Sequence, residues 1–444
     1  MQRPGSISEV VKLAYPIVIS MLSMSVMGVM DTLYMGWLGT SEQAAVGLTA
    51  MLTFSMLSIF TGTWTAVTTF VAQAFGADRK GECATMVWQA GYAALVGVLL
   101  VELALVPLVG PLLGMMGADA DVVDLGHAYL VLRLHGALFV FVEFIFSSYF
   151  RGLADMKTPM KISLFMMVLN IPFTYVLAFG LGPIPALGVV GAALGTVLSQ
   201  AVGAVVYLVV FFGRTHHARY QTRVVRAPHL GELRRFLRIG LPIGVTWLFE
   251  SGGWALFTVF VAGLGREALA AHTIVMQILH LSFMPGVAIG MAATTLVGQY
   301  LGAEDVPSAE RSIRSALVTA MSFMGMMGLF FLAFRTPLAF TFNRDPVVVD
   351  LTRALFIFAA VFQIFDALGM VTGSAIRGAG DTRWPMVASL TMVWGLLIPG
   401  VFVIGRVLDY GLIGAWAAAT AFITTLGLTL FMRMRSGRWK TMRV

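Results

Sequence analysis

Charge is what this chain has least of. Only 11% of its 444 residues are Asp, Glu, Lys or Arg, while 58% are hydrophobic. That is about half the charge of an ordinary soluble protein, so the chain is expected to live in a bilayer. A single cysteine, Cys83, excludes an intramolecular disulfide and any multi-cysteine metal site. No H-E-x-x-H, G-x-S-x-G or G-x-x-x-x-G-K-[ST] pattern occurs, which removes the support for a metalloprotease, a hydrolase or an ATP-driven pump. The chain is therefore expected to be no enzyme and to need no cofactor; an ion gradient must supply its energy. It has two asparagines and no N-x-[ST] sequon, which is compatible with a bacterial inner membrane. The first apolar stretch is too long, and lacks the small-residue cleavage site, for a removed signal peptide, so it is expected to stay in the mature protein.

What is there in abundance is apolar helix. Crossing about 30 Å of hydrocarbon takes about 20 apolar residues as helix, because lipid offers no partner to an unpaired backbone amide. Twelve such stretches fall near residues 12–36, 46–74, 86–112, 124–149, 160–181, 187–212, 239–263, 271–300, 312–334, 349–375, 385–405 and 411–432. They predict an all-α integral membrane protein.

The stretches form two sets of six. Arg151-Gly152 and Asp155 return 226 residues later as Arg377-Gly378 and Asp381, and the same offset takes Val71, Gln73, Gly76 and Ala77 to Val297, Gln299, Gly302 and Ala303, and Pro16 to Pro242. Six spans per half is an even number, so both halves enter from the same side as parallel repeats. Lys and Arg crowd one side: Arg3, Lys12, Arg79, Lys80, Arg151, Lys157, Lys161, Arg311, Arg314, Arg377, Arg383, seven arginines between 214 and 238, and the residues after 432. By the positive-inside rule both termini are cytoplasmic. The halves are expected as an N-terminal lobe, 1–213, and a C-terminal lobe, 239–444, joined by a basic cytoplasmic linker, 214–238. The arginines of that linker read as a topology signal and not as a nucleic-acid surface, since only Tyr220 and Phe236 offer aromatic faces there.

Ionisable groups inside spans cost about 2.5 to 3.5 kcal/mol each on insertion scales, so each needs a partner, a cavity or a function. Asp31, Glu102, Glu143, Glu250 and Asp366 qualify. The repeat does not pair them: shifted by 226, Glu250 meets Met24, Asp366 meets Val140 and Asp31 meets Phe257. Glu250 and Asp366, at similar depths in spans 7 and 10, are the pair expected to share a proton or a sodium ion, with Gln363 on the same helical face as Asp366. A structural carboxylate satisfied by hydroxyls or backbone is the plainer reading, and Glu102 and Glu143 are open to local pairing. Asn170 precedes Pro172 in span 5, where a freed carbonyl or a kink suits an ion, and Thr174 lies one turn on; interhelical glue is the alternative. Span 8 sets His272, Met276, His280 and Met284 at four-residue spacing with Gln277 alongside, offering His280 as a proton relay or a structural donor. Trp254, Phe257, Phe283 and Phe362, near these acids, together with 28 methionines, suit a promiscuous cationic ligand, although core packing explains most residues of these types.

Met30-Asp31-Thr32-Leu33-Tyr34-Met35-Gly36, Val71-Ala72-Gln73-Ala74-Phe75-Gly76-Ala77, Arg151-Gly152 and Arg377-Gly378-Ala379-Gly380-Asp381 resemble multidrug and toxic compound extrusion (MATE) transporters along nearly the whole chain. The acids Glu250 and Asp366 resemble those of the NorM branch. The resemblance implies two six-helix lobes in a V around a central cavity, exporting organic cations against inward Na⁺ or H⁺. It also implies that Asp31, Asn170 and Thr196 form a polar site in the first lobe, and Glu250 and Asp366 a cation site in the second. Thr174 departs from the Asn or Asp that the family commonly carries there. A monomer in a bacterial inner membrane, with no nucleic-acid partner, is the expected state. The rival reading, a flippase for lipid-linked precursors, requires a basic cavity, whereas the intramembrane charges here are mainly acidic.

Overall fold

The computed structural model describes residues 3–116 and 119–444. Apart from an isolated bridge between Leu181 and Ile184, these residues form helices and their connections. Eleven helical stretches are long and apolar enough to cross a membrane, and a bent pair supplies a twelfth, so each expected span is present. Span 1 is α1 (Ile7–Leu38); span 2 is α2 (Thr40–Trp64) continued by α3 (Ala66–Gly76). Span 3 contains α4 (Thr85–Leu100), a π-turn at Val101–Leu105 and α5 (Val109–Gly114). In span 4, α6 (Ala120–His135) and α7 (Ala137–Gly152) meet at 48°. Spans 5 and 6 are α8 (Lys157–Phe179) and α9 (Gly188–Phe211), and the linker carries a short α10 (Arg214–Tyr220). The second half continues with α11 (Leu230–Ala262), α12 (Arg266–Gly302), α13 (Val306–Phe342) and α14 (Pro346–Gly378). Span 11 joins α15 (Arg383–Met392) and α16 (Ile398–Phe402) through a π-turn at Val393–Leu397 and ends in a second at Val403–Val407, and α17 (Gly411–Arg435) is span 12.

Local chemistry sets the helix starts. Asp305 accepts the Ser308 amide at 3.0 Å and Asp345 accepts the Val347 amide at 2.8 Å, each directly before a helix with proline in its first turn. These side chains satisfy amides that the helix leaves open, and the proline gives up an N–H that had no partner there.

The 226-residue repeat recurs in atomic detail. Thr68 Oγ1 donates to the Ser148 carbonyl at 3.1 Å, and Thr294 Oγ1 to the Ser374 carbonyl at 2.9 Å. Asp78 and Glu304 turn with φ of 56° and 59°, and Ala154 and Gly380 with φ of 61° and 98°. Gly152 and Gly378 stand where helices cross too closely for a side chain. A Cβ would fall 2.6 Å from the Val71 Cβ in one half and 2.4 Å from the Thr294 carbonyl oxygen in the other.

The chain forms two compact units, Pro16–Gly244 and Met1–Tyr15 with Val245–Val444. Their bounds differ from the halves drawn at 213 and 239. Residues 1–15 belong with the second half, and the linker and the start of α11 belong with the first. The reason lies in local anchoring. Glu9 accepts the Gly5 amide at 2.7 Å and the Tyr300 hydroxyl at 2.9 Å, and Ser315 donates to the Gly5 carbonyl at 2.7 Å. In the other unit, Gln89 donates to the Ala227 carbonyl at 3.0 Å and accepts the His229 amide at 3.1 Å. Tyr92 donates to the Arg226 carbonyl at 2.9 Å, and Phe236 is fully buried beside Trp64.

Candidate ion and substrate sites

In the unit of residues 16–244, Asp31 is buried where α1, α8 and α9 meet. Thr174 donates to its Oδ1 at 3.2 Å and Thr196 to its Oδ2 at 2.9 Å. Asn170 stands behind both, its amide donating to the two threonine oxygens at 3.3 and 3.2 Å. Amide protons thus point at hydroxyls, and hydroxyl protons point at the carboxylate. The Asn170 Oδ1 is buried and has no hydrogen-bond partner among the described residues. Arg133, held by Gln200 at 2.9 Å, lies within Coulombic reach of Asp31. An apolar wall of Tyr34, Met35, Tyr129, Val189 and Ala192 encloses the group, and Tyr34 packs its ring against Tyr175 at 5.6 Å. The structure therefore brings Asp31, Asn170, Thr174 and Thr196 together. Thr174, the departure from the family pattern, is one of the two hydroxyls on the carboxylate.

In the other unit, Glu250 on α11 accepts a short hydrogen bond from Ser389 on α15. It lies within Coulombic reach of Asp366 on α14 and of Arg377. Both acids are half-buried, and Asp366 Oδ2 has no hydrogen-bond partner among the described residues. Two carboxylates and a hydroxyl are hard oxygen donors, a set that fits Na⁺ or a proton. Among the described residues no cluster of three or more His, Cys, Asp or Glu could hold a metal ion. Gln363 is fully buried; its amide donates to Ser282 on α12 at 2.5 Å, and no hydrogen bond joins it to Asp366 among the described residues.

The aromatic candidates separate by burial. Trp254 and Phe283 are partly exposed, whereas Phe257 and Phe362 lie in the core, at 0% and 2% exposure. The latter two back the former: Phe257 meets Trp254 at 5.8 Å and Phe362 meets Phe283 at 5.5 Å. Phe257 and Phe362 thus stand one layer behind Trp254 and Phe283 in the packing. Gln277 and His280 are exposed, with no hydrogen bond or ion pair to Glu250 or Asp366 among the described residues. His272 is buried instead, its ring against Phe257 at 5.1 Å and its Nε2 3.3 Å from Thr258 Oγ1.

Ser389, Ser282 and Gln200 escape a sequence reading, because one hydroxyl or one amide in an apolar span marks nothing by itself, while Arg133 stands out only as a charge inside span 4 with no partner marked. Arg377 left a signal: it recurs at offset 226 as Arg151, and each lies within reach of a membrane carboxylate, Glu250 and Glu143 respectively. The repeat kept the arginine while each half took its acid from a different helix position.

Twelve spans in two repeats, each unit carrying acidic groups within the spans, define a polytopic secondary transporter and not an enzyme. The MatE family model matches twice, at residues 16–176 and 242–403, so the two matches begin one repeat apart. The chain belongs to this family. It is 29% identical to the probable multidrug resistance protein NorM of Thermotoga maritima over 437 residues, 97% of this chain and 93% of that one. It is 28% identical to the multidrug resistance protein MdtK of Yersinia pseudotuberculosis over 436 residues, 95% and 94% of the two chains. A multidrug resistance MATE family transporter solved in an outward-facing conformation has the same fold, at a TM-score of 0.87 and 21% identity, covering 97% of this chain and 95% of that one. A MOP superfamily transporter from Pyrococcus furiosus, described as having a binding pocket of reversed polarity, matches at a TM-score of 0.88 with 21% identity over the same shares.

Proposed function

We propose that this protein is a cation-coupled antiporter that exports organic cations by alternating access, taking up Na⁺ or H⁺ as the co-substrate. The observation that carries this reading is the Glu250–Asp366 pair: two carboxylates within Coulombic reach inside the spans, one of them with an oxygen that lacks a hydrogen-bond donor among the described residues. Two carboxylates with one arginine, Arg377, in reach leave a net negative charge in hydrocarbon, and a coupling ion and an organic cation answer it alike. Competition for that charge makes the exchange obligatory when the two cannot bind together. Asp31 gives the first unit a separate acidic group, pre-set by two hydroxyl donors, for ion or substrate. Trp254 and Phe283 offer faces to a cation's apolar body. The multidrug-resistance names of the NorM and MdtK relatives support export of drugs. The reading includes a monomer in a bacterial inner membrane with both termini cytoplasmic, as the Lys and Arg distribution indicates.

The test is uptake of a fluorescent organic cation into proteoliposomes under a Na⁺ gradient and, separately, a pH gradient. One gradient is expected to drive uptake, and the Glu250→Gln/Asp366→Asn double variant to abolish it while inserting normally. Equal uptake by variant and wild type would remove the acid pair from the mechanism. No uptake under either gradient would bring the lipid-linked precursor flippase forward.

A further inference from the structure

Glu102 stands apart from both sites. It sits in the π-turn Val101–Leu105, which runs into a short 3-10 turn carrying Pro107, where span 3 departs from regular helix. Opposite it, span 4 breaks at Gly136, and His135 ends α6 at that break. The two irregularities bring the side chains together: His135 Nδ1 lies 2.8 and 3.1 Å from the Glu102 oxygens. Both groups remain open, with side-chain exposures of 33% for Glu102 and 49% for His135. π-Turns inside helices recur at functional sites, and an intramembrane ionisable group is expensive unless it has a use.

The surroundings specify that use. Leu95, Leu99 and Leu103 are exposed along the Glu102 side, and Leu138 along the His135 side. Arg133, two residues from His135, is turned to Gln200 and does not pair with Glu102. Among the described residues, His135 is the only basic partner of Glu102. When the neutral imidazole donates its Nδ1 proton, the pair keeps one negative charge amid exposed leucines. Asp124 and His127 lie on the same face of α6, eleven and eight residues earlier, and both are exposed. The second half has nothing equivalent, since the offset takes Glu102 to Gly328 and His135 to Val361.

We propose that Glu102 and His135 form a docking site for hydrophobic organic cations dissolved in the bilayer, apart from the Asp31 and Glu250–Asp366 sites. The carboxylate takes the charge, the imidazole holds the carboxylate in place, and the leucines take the apolar body. A hydrophilic cation gains little from such a site, because it does not partition into hydrocarbon. The inference deepens the export reading by giving the substrate a route in from the membrane, and rests on it only for that role.

Equilibrium binding of radiolabelled tetraphenylphosphonium to the full protein in lipid nanodiscs tests it. In an Asp31→Asn/Glu250→Gln/Asp366→Asn background, saturable binding is expected to persist. Adding Glu102→Gln is expected to weaken it at least tenfold, and Glu102→Asp to restore it, with all variants monodisperse and sharing one unfolding midpoint. Guanidinium is expected not to compete. Absence of saturable binding in that background, or binding indifferent to Glu102→Gln and to His135→Phe, overturns the proposal. Glu102-dependent binding in a protein that transports nothing under either gradient would uphold this site and remove the export reading.

Discussion

Thr196 allows the surroundings of Asp31 to be altered without touching the carboxylate. Its hydroxyl lies 2.9 Å from Asp31 Oδ2, in a place closed to water by the packing of α1, α8 and α9. Thr196→Val keeps the shape and removes the donor. A buried acceptor that loses its donor costs about 1–3 kcal/mol, so the unfolding midpoint in detergent is expected to fall, and Thr196→Ser to recover most of the loss. A valine variant as stable as wild type would mean that the hydroxyl contributes nothing to the carboxylate. Asp31 and Asn170 were legible in the sequence because a carboxylate or an amide in an apolar run stands out against its neighbours, and Thr174 because it lies one turn from Asn170. Ser389 was not, because its importance comes from a chain segment 139 residues away in Glu250. The burial of Phe257 and Phe362 behind Trp254 and Phe283 was hidden for a different reason. Aromatic rings beside an acid look alike in sequence whether they face a ligand or stand one layer behind it.

Helix crossings depend on small residues at a few points, and the repeat shows which ones. A Cβ at Gly378 would lie 2.4 Å from the Thr294 carbonyl oxygen, a backbone atom that cannot swing aside, whereas a Cβ at Gly252 meets nothing within 4 Å. Gly378→Ala is expected to cost at least about 1–3 kcal/mol through forced separation of α14 from α12. Gly252→Ala is expected to be neutral or slightly stabilising, since alanine favours helix by about 1 kcal/mol over glycine. Unfolding midpoints of the two variants side by side decide this, and equal midpoints would contradict the close-packed crossing. The twelve spans were legible at this scale because hydrocarbon thickness sets their length. The π-turns at Val101–Leu105 and Val393–Leu397 were not, since one extra residue per turn changes neither hydropathy nor span length.

Across the molecule, the compact units do not coincide with the sequence halves. Residues 1–15 fold with 245–444, held by Glu9, Tyr300 and Ser315, and residues up to 244 fold with the first half. Separate expression of 1–213 and 214–444 is therefore expected to give unstable products, and co-expression to let a tag on one recover the other from the membrane. A monodisperse, heat-stable product from either fragment alone would contradict the exchange. The duplication itself was plain in the sequence through its constant offset. The exchange was hidden, because α1 and α11 read as uninterrupted apolar helices and no residue pattern marks where a helix changes partners. This arrangement carries an evolutionary consequence. A half-length ancestor built by the same rule lends its first segment to a second copy and takes that copy's segment in return, which makes it a domain-swapped homodimer. Fusing two such copies would turn an assembly step that depends on concentration into one written within a single chain, and would leave the copies free to diverge in the acids they carry.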